Sequence, residues 1–212
     1  MNTPFLIPAE VTRREYVQVN SRFIATLAPV FSTDEARAFI KRVRLEFHDA
    51  THNVPAYIIG GGNNLVDYCS DDGEPQGTAG RPALAVLRGS GLGNAAVVIT
   101  RYFGGTLLGT GGLVKAYTES TQVVVKAVPR ARLLQVHTSL LVAPYPLLER
   151  IRLLVSRQQG AILEEDFGEE VSMTLRFPVE SFPGFQATLR EISSGRLQAE
   201  IIETSEMLVP VV

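Results

Sequence analysis

The chain has 212 residues, 45% hydrophobic and 20% charged, with a formal net charge of −2. That length suits one large or two small domains, and the apolar share can build a core, which excludes wholesale disorder. No apolar run approaches a membrane helix, the start carries no secretory pattern, and the lone Cys69 excludes an internal disulfide or a cysteine-rich zinc site, so a soluble cytoplasmic protein is expected.

Along the chain, two strands are predicted around Glu15–Val19 and Arg22–Pro29. Ser32 with Glu35 forms a capping-box pattern, and Ala36, Phe39, Ile40, Val43 and Phe47 recur at helical spacing behind it. Val54–Ile59 and Leu65–Cys69 read as short strands, and Thr78–Arg88 as a helix closed by Gly89. Ala95–Phe103 is apolar enough to be a strand buried on both faces. Thr110 to about Val128 reads as a long helix stopped by Pro129. These elements predict an α+β domain over residues 1–132, with a mixed or antiparallel sheet backed by helices.

The remainder predicts a strand at Leu134–Val142, then a helix entered through Pro144 and Pro146. Its stripe is Leu147, Leu148, Ile151, Leu154 and Val155, ending at Gly160. Ala161–Phe167 is a strand, and Val171, Met173, Leu175 and Phe177 alternate as another. Ser181 and Pro183 open a helix with Phe185, Leu189 and Ile192 on its buried side; Gly195 ends it, and Arg196–Glu203 is the last strand. The order βαββαβ is the ferredoxin-like split sandwich. It places a second domain at 133–206 and a tail at 207–212.

Glycine is unevenly spread: 14 of 18 lie between Gly60 and Gly112. Two stretches frame them. In Ser70–Pro82, Asp71, Asp72 and Glu74 crowd three carboxylates into four positions, which calls for solvent, cations or a shared metal. In Arg101–Tyr117, Gly104, Gly105, Gly109, Gly111 and Gly112 precede and open a helix, where backbone N–H groups favour an anion. The candidate site comprises His52, Asp71, Asp72, Glu74, Arg101, Gly109, Thr110, Gly111, Gly112 and Lys115. An internal ion pair from Arg101 to Asp71, Asp72 or Glu74 is the purely structural reading.

Several familiar constellations are excluded. Gly104 to Gly109 is followed by Thr110 rather than the lysine of a Walker loop, and Gly89-Ser90-Gly91-Leu92-Gly93 precedes a strand rather than following one. His48-Asp49-Ala50-Thr51-His52 lacks the helix and glutamate of a zinc protease, so no metal site is assigned. Cys69 has no basic activator, and His137 stands alone in a strand. Lys41, Arg42 and Arg44 form a basic run on the first helix, read as a solvated face or a contact with nucleic-acid phosphates.

SDDGEPQGTAGRP followed by VVITRYFGGTLLGTGGLVKAY resembles the signature of the IMPACT family, in its bacterial YigZ-like branch, and Ala50-Thr51-His52 matches a shorter family element. The resemblance spans nearly the whole chain. It implies an N-terminal domain that is ribosomal-protein-S5-domain-2-like, a fold shared with elongation factor G and small-molecule kinases. It implies a C-terminal ferredoxin-like domain similar to the last domain of elongation factor G. Eukaryotic members are linked to translational control under starvation, an activity associated with a further domain outside this pattern. Two functions follow. The favoured one is a non-enzymatic protein binding RNA, the ribosome or a translation factor. The alternative is an enzyme or former enzyme acting on a phosphorylated or acidic small molecule, with no cofactor identified.

Overall fold

The structure, a computed structural model, describes residues 5–61 and 64–211. The chain divides into two compact units, residues 1–132 with 209–212, and residues 133–208. The first holds β1 (Ile7–Pro8), β2 (Thr12–Gln18), β3 (Ser21–Pro29), α1 (Thr33–Glu46), β4 (His52–Gly61), β5 (Asn64–Cys69), α2 (Gly80–Gly89), β6 (Ala95–Tyr102) and α3 (Gly109–Ala127). The unit boundary falls within β7 (Arg130–Ala143). The second unit continues with α4 (Leu148–Arg157), β8 (Ala161–Phe167), β9 (Val171–Pro178), α5 (Phe182–Ile192) and β10 (Glu200–Pro210).

In the first unit the sheet order is β2-β3-β6-β4-β5, antiparallel at every pairing. Strand β6 lies at the centre, and its alternation feeds two cores. Ala95, Val97 and Ile99 pack with Ala83 and Leu87 of α2 and Ala116 and Tyr117 of α3. Ala96 and Val98 face the other way, onto Ala36, Phe39, Ile40 and Val43 of α1. The expected burial of β6 on both faces is therefore observed. Each large side chain so buried contributes about 1.5–3 kcal/mol of transfer free energy, which makes β6 a rigid platform for whatever stands at its end.

The cap of α1 forms as its sequence requires. Ser32 Oγ accepts from the Glu35 N–H at 3.1 Å, while Glu35 Oε2 accepts from the Phe31 N–H at 2.9 Å, one residue before the usual partner. Helix α2 begins two residues later than predicted, because Thr78 is held in a turn by its own N–H and hydroxyl, both donating to the Pro75 carbonyl.

The second unit is the βαββαβ arrangement expected, with strand order β8-β9-β7 and β10 on the far side of β7. Leu141, Met173, Leu175 and Phe177 of the sheet pack against Ile151 and Val155 of α4 and Phe185 and Leu189 of α5. Three local expectations are corrected. Helix α4 ends through Gln159 in the left-handed region, φ 58°, so the glycine that follows is not the reversing residue. Ser181 stands at the start of α5 but makes no side-chain cap, its own backbone being already helical at φ −87° and ψ −23°. Strand β10 starts at Glu200 and reaches Pro210, through positions expected to be tail, because the long β7 gives it a partner.

Candidate functional site: an acidic loop, a glycine-rich helix start and a basic groove

The three clustered carboxylates go to three different tasks. Asp71 accepts from the N–H groups of Gly77 at 2.7 Å, Ala79 at 3.1 Å and Gly80 at 2.8 Å, and so caps α2. Burial opposes its ionisation, but the three backbone donors outweigh that and hold the carboxyl below its ordinary range. Asp72 accepts from Arg44 Nη2 at 2.5 Å and from the Asn53 N–H at 2.7 Å, tying the loop to α1 and β4. Only Glu74 turns inward, where its side chain is 3% exposed.

Glu74 meets the residue expected to seek a carboxylate. Arg101 Nη1 donates to Glu74 Oε1 at 2.6 Å, and the Tyr117 hydroxyl donates to the same oxygen at 2.7 Å. Burial pushes the Tyr117 phenol far above its ordinary value, and the neighbouring Glu74 charge adds to the effect. Register explains the meeting. Arg101 sits directly opposite Phe23 of β3 and His52 of β4, so its side chain projects from the centre of the sheet toward α3. Its guanidinium lies over the rings of Phe23 and Phe103 at 5.6 and 5.8 Å. Its Nε is buried without a hydrogen-bond partner. His52 Nδ1 lies 2.7 Å from the Asp72 carbonyl oxygen, and Nε2 lies 3.9 Å from Glu74 Oε2.

These groups border a cavity of about 420 Å³ whose wall includes His52, Glu74, Arg101, Phe103, Gly109 and Thr110. Helix α3 starts there with Leu108 in the capping position and no side-chain cap, which leaves first-turn N–H groups without a side-chain acceptor. The glycines have distinct reasons. Gly104 has no room for a Cβ, which would fall 2.1 Å from the Asn20 carbonyl carbon, and Gly109 takes φ +70°. Gly111 needs neither, since a Cβ there meets open space. Gly112 would gain a Cβ 3.1 Å from that of Leu108.

Of the ten candidate positions, the structure brings His52, Glu74, Arg101, Gly109 and Thr110 onto one cavity wall. Asp71 and Asp72 serve the loop instead, and Lys115 is exposed further along α3. The divergence of the carboxylates removes the metal-contact role considered for them, and no group of three metal-ligand side chains occurs among the described residues. Cys69 is half-buried against the core, and burial with the nearby Asp71 charge pushes its thiol up, away from nucleophilic character. His137 bonds Thr204 at 2.8 Å and packs edge-on to Phe182.

The basic run expected on the first helix borders a second feature, whose aromatic side the sequence did not show. Arg37, Lys41 and Arg44, one turn apart on α1, border a groove of about 460 Å³ whose other side is Tyr57 and Tyr68. The two tyrosines are cross-strand partners on β4 and β5, with rings stacked at 5.3 Å and 24°. Tyr57 is buried, but Tyr68 is 46% exposed. Arg42 leaves the run, lying instead over Phe39 at 5.5 Å. The signal available was the hairpin itself: the antiparallel register that pairs Ile59 with Val66 sets position 57 against 68.

Fold and site together define a two-domain α+β protein in which an acidic loop and a glycine-rich helix start close on one buried ion pair. The chain belongs to the IMPACT family. The Impact N-terminal domain matches residues 19–125, and a domain of unknown function, DUF1949, matches residues 141–196. The IMPACT family member YigZ of Escherichia coli K12 is 39% identical over 201 residues, covering 94% of this chain and 98% of that protein. The IMPACT family member YvyE of Bacillus subtilis is 35% identical over 88% of this chain and 86% of that protein. Protein IMPACT-A of Xenopus tropicalis is similar at 32% identity over 49% of this chain and 33% of its own length. A solved crystal structure of a hypothetical protein superimposes with a TM-score of 0.61 at 37% identity, covering 96% of this chain and 99% of that one. Among the described residues no helix is long and apolar enough to cross a membrane.

Proposed function

We propose that this protein is a non-enzymatic binding protein of the translation apparatus whose first unit engages single-stranded RNA. The observation that carries the reading is the groove in which Tyr57 and Tyr68 stack beside Arg37, Lys41 and Arg44. Single-strand binders combine cations that track phosphates with an aromatic face on which a base stacks. Here Tyr68 supplies an exposed face pre-aligned by Tyr57 beneath it. Lys41 has no ion-pair partner among the described residues, while Arg44 keeps Asp72 and Arg37 keeps a weak exposed contact to Asp34 at 3.4 Å. A groove of about 460 Å³ accommodates a nucleotide-sized group. The family's resemblance to domains of ribosomal protein S5 and elongation factor G supports the setting, as an analogy of fold.

The experiment is an anisotropy titration of a labelled oligouridine at increasing salt. Binding that weakens steeply, with a log–log slope of about −0.7 per phosphate contacted, supports the reading. Absence of binding at low salt refutes it.

A further inference from the structure

We infer that the cavity between β4, β6 and the start of α3 binds a small molecule carrying an anionic head and, beside it, an ammonium or hydroxyl donor. The inference is independent of the RNA groove, which lies on the α1 side of the sheet.

The anionic end follows from two separate observations. Helix α3 has 19 residues and opens on the cavity without a side-chain cap, so the partial positive charge of its N-terminus is unanswered. Arg101, 5% exposed, gives one of its five N–H groups to Glu74, while its buried Nε has no acceptor. Arg101 borders the cavity with guanidinium N–H groups beyond the one it gives to Glu74, and an oxyanion there is the group they would bind.

The donor end follows from His52 and Glu74. A carbonyl oxygen only accepts, so the proton of the neutral His52 ring resides on Nδ1, facing the Asp72 carbonyl. Nε2 is then an acceptor, and it faces Glu74 Oε2, another acceptor, across 3.9 Å. Glu74 Oε1 is already occupied by Arg101 and Tyr117. An ammonium bridging Nε2 and Oε2 from the cavity side donates an N–H to each, whereas a hydroxyl, with one proton, serves one of them. Phe103, Leu107 and Leu113 complete the wall with apolar surface, and the Phe103 and Leu107 side chains are largely exposed at the cavity mouth. The head can be a phosphate or a carboxylate; both present the same oxygens to Arg101 and the helix.

The test is thermal unfolding of the full chain with O-phosphoethanolamine, L-leucine or inorganic phosphate as probes. A ligand that binds only the folded state raises the melting temperature with concentration. A rise with phosphoethanolamine assigns a phosphate head, and a rise with leucine a carboxylate head. Either, with inorganic phosphate at least about tenfold weaker, supports the inference. Flat melting temperatures with all three overturn it, as does inorganic phosphate matching the two-ended probes. His52→Ala, at a partly exposed position, is expected to reduce a two-ended probe to the strength of phosphate alone. Arg101→Lys, which keeps the charge but loses the planar donors, is expected to weaken every probe about tenfold or more. Unchanged binding in His52→Ala overturns the donor half even where Arg101→Lys fails to fold.

Discussion

Arg101 and Glu74, 27 residues apart in sequence, form a buried ion pair at 2.6 Å with side chains 6% and 3% exposed. The pair welds the acidic loop to the end of the central strand, and with it the two motifs that mark the family. Breaking it leaves an uncompensated buried charge, whereas removing both charges does not. Glu74→Gln is expected to lower unfolding stability by about 3–5 kcal/mol in chemical denaturation. The double variant Glu74→Gln/Arg101→Met is expected to lose less than the sum of the two single variants, a coupling measurable as a double-mutant cycle.

Asp71 sets an acid limit on the first unit. Its folded pKa lies below the ordinary carboxylate value of about 3.9, so its stabilisation is fully present above that value and is lost as pH falls through the lowered one. Asp71→Asn removes the charge that caps α2 and is expected to cost about 0.5–2 kcal/mol at neutral pH. The difference between wild type and variant is expected to shrink on acidification, read from melting temperatures across pH. A pH-independent difference would show that the Asp71 charge plays no part in capping α2.

The glycines of one motif divide in their response to alanine. Gly104→Ala forces a methyl against the Asn20 backbone and is expected to cost about 1–3 kcal/mol or more. Gly111→Ala meets open space within a helix at ordinary φ and is expected to be neutral or to stabilise by up to about 1 kcal/mol. Thermal unfolding of the two variants side by side checks both.

Much of this was legible beforehand. The second unit was readable because Val171, Met173, Leu175 and Phe177 alternate strictly and Ile151, Leu154 and Val155 recur at helical spacing, so each element declares its buried face. Arg101 demanded a carboxylate on composition alone, because it ends an apolar strand. Which carboxylate could not be read: Asp71, Asp72 and Glu74 differ only in where a tight turn, with Asp72 at φ +48°, aims them. Tyr57 and Tyr68 look like ordinary strand residues until antiparallel register sets one against the other. The extension of β10 depends on the length of its neighbour β7, which no property of residues 204–210 announces.

Tyr117 should resist alkaline titration. Burial and the Glu74 carboxylate hold its phenol protonated well beyond the ordinary value of about 10. Tyr117→Phe is therefore expected to leave the tyrosinate absorbance change below pH 11 unaltered, while lowering stability by about 1–3 kcal/mol through the lost bond to a charged acceptor.

The tyrosine pair and its flanking cations form the proposed RNA platform. The direct measurement is the affinity of the wild type, Tyr68→Ala and Lys41→Glu for a labelled single-stranded RNA at low salt. Tyr68→Ala is expected to weaken binding roughly 5- to 150-fold, equivalent to about 1–3 kcal/mol of base stacking, and Lys41→Glu to reduce both affinity and salt slope. Binding of equal strength by all three proteins, or none by the wild type, would contradict it.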